Sequence, residues 1–233
     1  MNKFAVIISA FGCPEYVMEC VNAVKAQIKY TGWEYDIRIG IDGCQETADV
    51  LKQNNIKFFY SENNVGAYVI RNSLIYLSPA DVYGYFDADD VMEKNYIYKN
   101  IEVLESSNCE AVISAKVNCH KNLVAIGDGN AVIETGGAMS FTHKALESVG
   151  GYYNFRCAGD TDLMERLRMA GHNIVNIEEP LYRRRRHNKS LTKSGLTIYG
   201  GDYRKKVWAK MCAKRDQGKI KIQPTTIKFK GMA

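Results

Sequence analysis

Three aspartates fall within four residues, at Asp87, Asp89 and Asp90, directly after an apolar run at residues 82–86. Asp87 and Asp89 lie two apart, so extended backbone places them on one face. Close carboxylates raise one another's pKa unless a cation offsets the charge. A hard divalent ion, Mg²⁺ or Mn²⁺, held by one or two carboxylates together with substrate phosphates, meets that need. The alternative reading of the same residues is a solvated acidic turn that caps the following helix.

Such a cluster needs a rigid support, and the preceding sequence supplies one. Residues 4–9 form an apolar run read as a first strand. Pro14 and Glu15 then mark a helix start, and apolar residues follow at helical spacing from Tyr16 to Ile28. A second strand at 35–41 ends at Asp42-Gly43. A short helix at 46–53 and a third strand at 56–60 come next. Asn63-Asn64-Val65-Gly66 breaks the chain before a helix at 67–77, and a fourth strand delivers Asp87. Alternation of strand and helix predicts a parallel α/β sheet covered on both faces. Ligands of such sheets sit outside the carboxyl ends of the strands. Ser9, Phe11, Asp42 and the Asp87 cluster all fall at those ends and can share one pocket.

Beyond Asp90 the pattern predicts a helix at 96–105 and a strand at 111–117. A polar stretch at 118–130 precedes an extended segment at 132–141 around Gly136-Gly137. Helices at 144–149 and 160–170 and a short strand at 174–177 complete the body. Leu163 and Leu167 lie four apart in the longer of these helices, and Gly171 offers its stop. No repeat, low-complexity segment or linker divides it.

The length of 233 residues suits one large domain with an appendage, and 46% apolar residues can fill a sizeable core. No run reaches the length of a membrane span. The first residues turn polar too early for a secretory leader and read as strand. Seven scattered cysteines without a Cys-x-x-Cys pair argue against zinc and for free thiols in a reducing cytoplasm. Residues 1–180 carry 15 Lys and Arg against 24 Asp and Glu, whereas residues 181–233 carry 16 against 2. A polyanionic partner, nucleic acid or an anionic membrane surface, is expected from that asymmetry.

In order along residues 4–192, the chain resembles the family 2 glycosyltransferases of GT-A fold. That resemblance implies a Rossmann-like, mostly parallel sheet and inverting transfer of a sugar from a nucleotide-sugar donor, most simply a UDP-sugar. Val6-Ile-Ile-Ser-Ala-Phe11 is similar to the family's first strand and nucleotide-contacting turn, which implicates Ser9 and Phe11. Asp42-Gly43-Cys44 resembles Asp-Asp-Gly-Ser, with Ile41 and Cys44 as departures, and implies that Asp42 binds base or ribose. Asn64-Val-Gly66 with Arg71-Asn72 resembles Asn-x-Gly…Ala-Arg-Asn and points Arg71 at the donor phosphates; a surface ion pair is its alternative.

Phe86-Asp-Ala-Asp-Asp90 resembles the family's Asp-Ala-Asp-Asp. The resemblance implies Asp87 on the ribose and near the metal, Asp89 as the main metal ligand, and Asp90 behind them or as a helix cap. Gly136-Gly137-Ala-Met139 is similar to the strand that opens the acceptor half. Gly159-Asp160-Thr-Asp162-Leu163 resembles Glu-Asp-x-Asp-Leu, with glycine in place of glutamate. It implies Asp160 as the general base that accepts the acceptor's proton, with Asp162 structural or near the acceptor. Tyr182-Arg-Arg-Arg-Arg-His187-Asn-Lys-Ser190 resembles Tyr-Arg-x-His-x-x-Ser, placing His187 on the metal and Arg186 and Ser190 on the diphosphate.

The expected organisation is therefore a GT-A domain over residues 1–192, with donor half 1–90 and acceptor half 91–192, and a basic extension at 193–233. In that extension Val207, Trp208, Met211 and Cys212 share one face of a basic helix. The resemblance admits hydroxymethylated pyrimidines in double-stranded phage DNA as acceptor, in the host cytoplasm, and equally a cell-surface polysaccharide or lipid-linked glycan. The tail charge favours DNA, while peripheral membrane contact stays open. A non-catalytic nucleotide- or nucleic-acid-binding protein on the same scaffold is the alternative of another class.

Overall fold

The computed structural model describes residues 1–134, 138–190, 192–193 and 195–231. The donor half follows the expected alternation: β1 (Asn2–Ala10), α1 (Val17–Lys25), β2 (Trp33–Asp42), α2 (Gln45–Gln53), β3 (Phe59–Ser61), α3 (Ala67–Ile75) and β4 (Val82–Asp87). Then come β5 (Val91–Met92), α4 (Tyr96–Ser106), β6 (Ala111–Cys119), β7 (Met139–Thr142), α5 (His143–Val149), α6 (Gly159–Met169), β8 (Ile174–Arg185) and α7 (Asp202–Asp216). The strands form one sheet in the order β3-β2-β1-β4-β7-β6-β8-β5.

The strands β1 to β4 are mutually parallel, as the sequence predicts. The second half is mixed rather than parallel: β7 runs antiparallel to both β4 and β6, and β5 runs antiparallel to β8. Chain order reverses across β1 and β4, which makes their carboxyl ends a topological switch point.

Burial on both faces explains the unbroken apolar runs. Phe4, Val6 and Ile8 of β1 meet α1, α2 and α4, while Ala5 and Ile7 meet α3, α5 and α6. Each such fully buried aliphatic side chain contributes about 1.5–3 kcal/mol.

Two expectations shift. The strand at 174–177 continues to Arg185 because it pairs with β6 along its length. Pro180 sits opposite Ala115 where the register slips, the place a sheet tolerates a residue without an N–H. The extended segment at 132–141 shortens to β7 plus a single bridge from Val132 to Lys116. Gly136 and Gly137 lie outside the described residues.

The basic tail is built into the body. Val207 and Met211 of α7 are buried with Cys157, whereas Trp208 remains half exposed, so only part of the predicted apolar face is covered. Residues 218–231 then run back over α3 and α5. Main-chain N–H groups of Ile222, Ile227 and Lys230 donate to Val149 O, Ser73 Oγ and Tyr60 O at 3.0, 2.9 and 3.0 Å. Ile220, Ile227 and Phe229 pack on the core beneath. At Gly150 (φ +76°) a Cβ would lie 1.9 Å from the Ile222 carbonyl oxygen, so the tail lies close because this residue has no side chain.

Candidate active site

In-register pairing brings the predicted strand ends together. Ser9 of β1 pairs with Asp87 of β4 on one side and Gly40 of β2 on the other. Over these ends opens a cavity of about 620 Å³, lined by Ser9, Phe11, Asp42, Asp87, Asp89, Arg186, His187 and Ser190 among others. Of the residues expected at the site, Arg71 and Asp160 alone are absent from its wall; they connect to it through Asp87.

Both carboxylate oxygens of Asp42 accept main-chain N–H groups, from Val65 at 2.6 Å and Gly66 at 2.9 Å. Asp42 thereby caps the start of α3 and shapes the cavity wall around Asn64. Burial raises its pKa more than those two hydrogen bonds and Arg156 lower it. Cys44, where the family has serine, accepts the Gly12 N–H at 3.3 Å and ties the β1 turn to the start of α2.

Asp89 Oδ2 lies 2.8 Å from His187 Nε2. Ser190 Oγ accepts the main-chain N–H of His187 at 3.3 Å, and Tyr16 packs on the imidazole at 5.0 Å between centroids. A strand-end acid and a residue 98 positions later are thus fixed to one point. Asp90 is not a helix cap, since α4 is preceded by Asn95. It is buried, accepts the Tyr182 hydroxyl, and accepts the Arg185 N–H at 2.6 Å. Burial, then Asp89 and Asp87, push its pKa well above the carboxylate range.

Arg71 is 2% exposed and does not line the cavity. Its guanidinium donates to Asp87 Oδ1 at 2.5 Å, to Asp160 Oδ1 at 2.6 Å and to Ser9 Oγ at 3.3 Å. The rings of Tyr85, Tyr68 and Tyr152 surround it at 4.3, 5.3 and 5.8 Å. Burial opposes its charge, but Asp160 and Asp87 outweigh that and hold it protonated. For Asp87 the balance differs: loss of water raises its pKa, Arg71 lowers it, Asp89 and Asp160 raise it again, and the net shift is upward.

Tyr68 donates to Asp160 Oδ2 at 3.2 Å, so both oxygens of that carboxylate are oriented. The departure at Gly159 has a steric cause in this chain, because a Cβ there would lie 2.8 Å from the Tyr68 ring. Asp162 is structural: it is buried and pairs with Arg166 at 2.8 Å.

The arginine run divides by role. Arg183 pairs with Glu93 at 2.6 Å on the surface. Arg185 is buried, donates to Asp89 O at 2.8 Å and pairs with Glu19. Arg184 and Arg186 face the cavity. Sequence reasoning missed Arg156, which also lines the cavity and donates to Asn64 O at 3.0 Å. A single arginine in an irregular loop gave no signal for it. Tyr68 was hidden in the same way, inside an apolar helical pattern.

Among the described residues no three of His, Cys, Asp and Glu converge as a metal cluster. Asp89 and His187 do converge, and an oxygen and a nitrogen ligand completed by phosphate oxygens suits Mn²⁺ or Mg²⁺.

A parallel switch-point sheet, an antiparallel insertion at β7 and an acidic strand end define a glycosyltransferase of GT-A fold. TarS residues 1–349 of S. aureus, solved with UDP-GlcNAc, superimposes with a TM-score of 0.72 at 13% identity, over 91% of this chain and 66% of that one. The mannosyltransferase PcManGT of Pyrobaculum calidifontis, solved with GDP-Man and Mn²⁺, gives 0.64 at 11% identity, over 91% of this chain and 61% of that one. Those likenesses establish the fold.

The sequence profile of glycosyl transferase family 2 matches residues 5–153, well over half the chain, and the chain belongs to that family. TuaG of Bacillus subtilis (strain 168), which carries the name of a teichuronic acid biosynthesis glycosyltransferase, is 28% identical over 112 residues. That match covers 45% of this chain and 43% of TuaG, so the chain spans under half of this curated relative.

Proposed function

We propose that the protein transfers a sugar, with inversion, from a nucleoside-diphosphate donor to a hydroxyl of a cell-surface polysaccharide or lipid-linked glycan. The observation that carries this reading is the Arg71 bridge. One buried guanidinium joins Asp87, at the donor cavity, to Asp160, at the start of α6 in the acceptor half.

Asp42 on the cavity floor, with Asn64 and Arg156 beside it, receives base and ribose, and Ser9 and Phe11 adjoin them. Arg186 and Ser190 meet the diphosphate, joined by Arg184, whereas Arg71 orients carboxylates rather than phosphates. Asp89 and His187 would hold a divalent ion, which would supply charge neutralisation at the leaving diphosphate. Asp160, aimed by Arg71 and Tyr68, accepts the acceptor's hydroxyl proton as that oxygen bonds to the anomeric carbon. The bond from that carbon to the diphosphate oxygen breaks with its electron pair leaving on the diphosphate. Both halves serve the donor, residues 1–90 through Ser9, Phe11, Asp42, Asn64 and Asp89 and residues 91–192 through Arg156, Arg184, Arg186, His187 and Ser190, while Asp160 of the second half serves the acceptor. Seven cysteines free of disulfides suit the reducing cytoplasm.

A glycan acceptor is favoured over modified DNA. The relatives named above supply no DNA-modifying member. Part of the charge that suggested DNA is also used within the fold, through Arg183, Arg185 and Lys230.

The test is Asp160→Asn, assayed for sugar transfer and nucleotide binding. Transfer falls roughly 10²–10⁴-fold, the usual worth of a general base, while UDP still raises the melting temperature in Mn²⁺. Parental transfer by the variant would remove Asp160 from the role of base.

A further inference from the structure

The stretch 189–210 keeps large apolar side chains in water although α7 already buries Val207 and Met211 against the body. Leu196, Ile198, Tyr199 and Trp208 are 64, 43, 81 and 47% exposed. They belong to one surface. Arg204 lies over the Tyr199 ring at 5.8 Å and donates to Thr197 O at 2.9 Å, which joins the first turn of α7 to the 195–199 turn. Trp208 stands one helical turn beyond Arg204, on the same side of α7. Ile198 touches the backbone at the start of α7, since a Cβ on Gly201 would meet its Cγ2 at 2.7 Å.

Exposed Lys193 and Lys205 flank this surface, Lys205 lying 3.6 Å from Asp202, whereas Lys206 and Lys210, each two residues from Trp208, lie across α7 from it. Leu196 and Thr197 also line the cavity, so the patch adjoins its mouth.

We propose that the 195–199 turn and the outer side of α7 dock the enzyme on an anionic lipid bilayer, with the cavity mouth held near the headgroups. Tyrosine and tryptophan rings with an apolar body and a polar tip suit the headgroup level. Aliphatic Leu196 and Ile198 gain by entering the acyl boundary, whereas neither stacks on nor hydrogen-bonds to a nucleic acid. Each lysine near an anionic surface adds about fivefold in partitioning. No helix among the described residues is long and apolar enough to cross a membrane; a surface contact of this kind would bring the cavity mouth to a lipid-borne acceptor. The acceptor's location rests on the glycan reading above; the docking itself does not.

The test is co-sedimentation of the full chain with phosphatidylcholine vesicles, with and without phosphatidylglycerol, at low and physiological salt. Binding is expected only with phosphatidylglycerol, with a blue shift of tryptophan emission that is lost in Trp208→Phe. Tyr199→Ser/Trp208→Ser and Lys193→Gln/Lys205→Gln should each weaken vesicle binding at least about tenfold, with melting temperature and UDP binding unchanged. No binding at low salt, equal binding to neutral vesicles, or retained binding by both variants overturns the proposal. So does lysine-dependent capture of duplex DNA by a protein that ignores vesicles, which would assign the surface to nucleic acid. Vesicle binding without transfer to any glycan would instead uphold the docking and defeat the proposed acceptor.

Discussion

The floor and the wall of the cavity are made differently. The floor consists of strand ends: Ser9, Asp42 and Asp87 are placed by sheet register, before any side chain forms a contact. The wall, residues 184–190, starts in register with β6 at Arg184 and Arg185 and through the Arg186 N–H on Cys119 O at 2.8 Å; from there on it is held by side chains, chiefly buried Arg185 and the contacts of His187. A buried arginine serves each region, but in different company. Arg71 lies between two carboxylates inside a ring of tyrosines, whereas Arg185 leans on main-chain carbonyls and on Glu19, whose side chain is half exposed. The Arg71–Asp160 pair is therefore costly to break, whereas Asp87 and Glu19, at 44 and 54% exposure, can each turn to water.

The largest test of that contrast is Arg71→Met. The change leaves Asp160, whose side chain is 16% exposed, and Asp87 at the cavity without their shared cation. Removing one member of a buried pair costs about 3–5 kcal/mol. Urea denaturation should show that loss, and sugar transfer should fall with it because neither carboxylate keeps its aim. A loss below about 1 kcal/mol would mean that water enters the floor as freely as the wall.

The contrast also explains what could be read from sequence. A strand end buried on both faces announces itself as an apolar run stopped by acid, so Asp42 and the Asp87 cluster were legible and their convergence followed from topology. Arg71 was recognisable as a residue but not in its role. Arginine is ordinarily exposed, and its aromatic enclosure comes from Tyr68, Tyr85 and Tyr152, which meet only in the folded chain. The four arginines at 183–186 looked like one positive patch because composition does not record burial. The tail looked like an appendage because its anchors are main-chain hydrogen bonds, which leave no pattern in side-chain type.

For the wall, Arg185→Met should cost less than Arg71→Met, about 1–3 kcal/mol. Asp89 O and the other carbonyls lose a charged donor, but Glu19 can turn to solvent. The more specific reading is metal dependence: transfer by this variant should need more Mn²⁺, because the backbone of Asp89 is no longer pinned. An unchanged Mn²⁺ titration would detach Arg185 from the metal side of the site. On the floor, Tyr68→Phe removes one hydrogen bond to Asp160 while keeping the ring that fills the space beside Gly159. Its stability cost should be about 0.5–1.5 kcal/mol, and the change in transfer should appear in kcat with KM for the donor held.

Arg183→Gln is the smallest change and the control for the others. Its partner Glu93 is 38% exposed and Arg183 is 44% exposed, so water and salt already screen the pair. The stability change should stay within about 0.5 kcal/mol, and transfer and Mn²⁺ dependence should match the parent. Charge is the variable this substitution isolates, since it removes one of four consecutive arginines and leaves the other three in place. If transfer nonetheless fell tenfold, net charge on the segment rather than the positions of Arg184, Arg185 and Arg186 would govern the wall. The distinction between a floor set by geometry and a wall set by individual ion pairs would then fail at the wall.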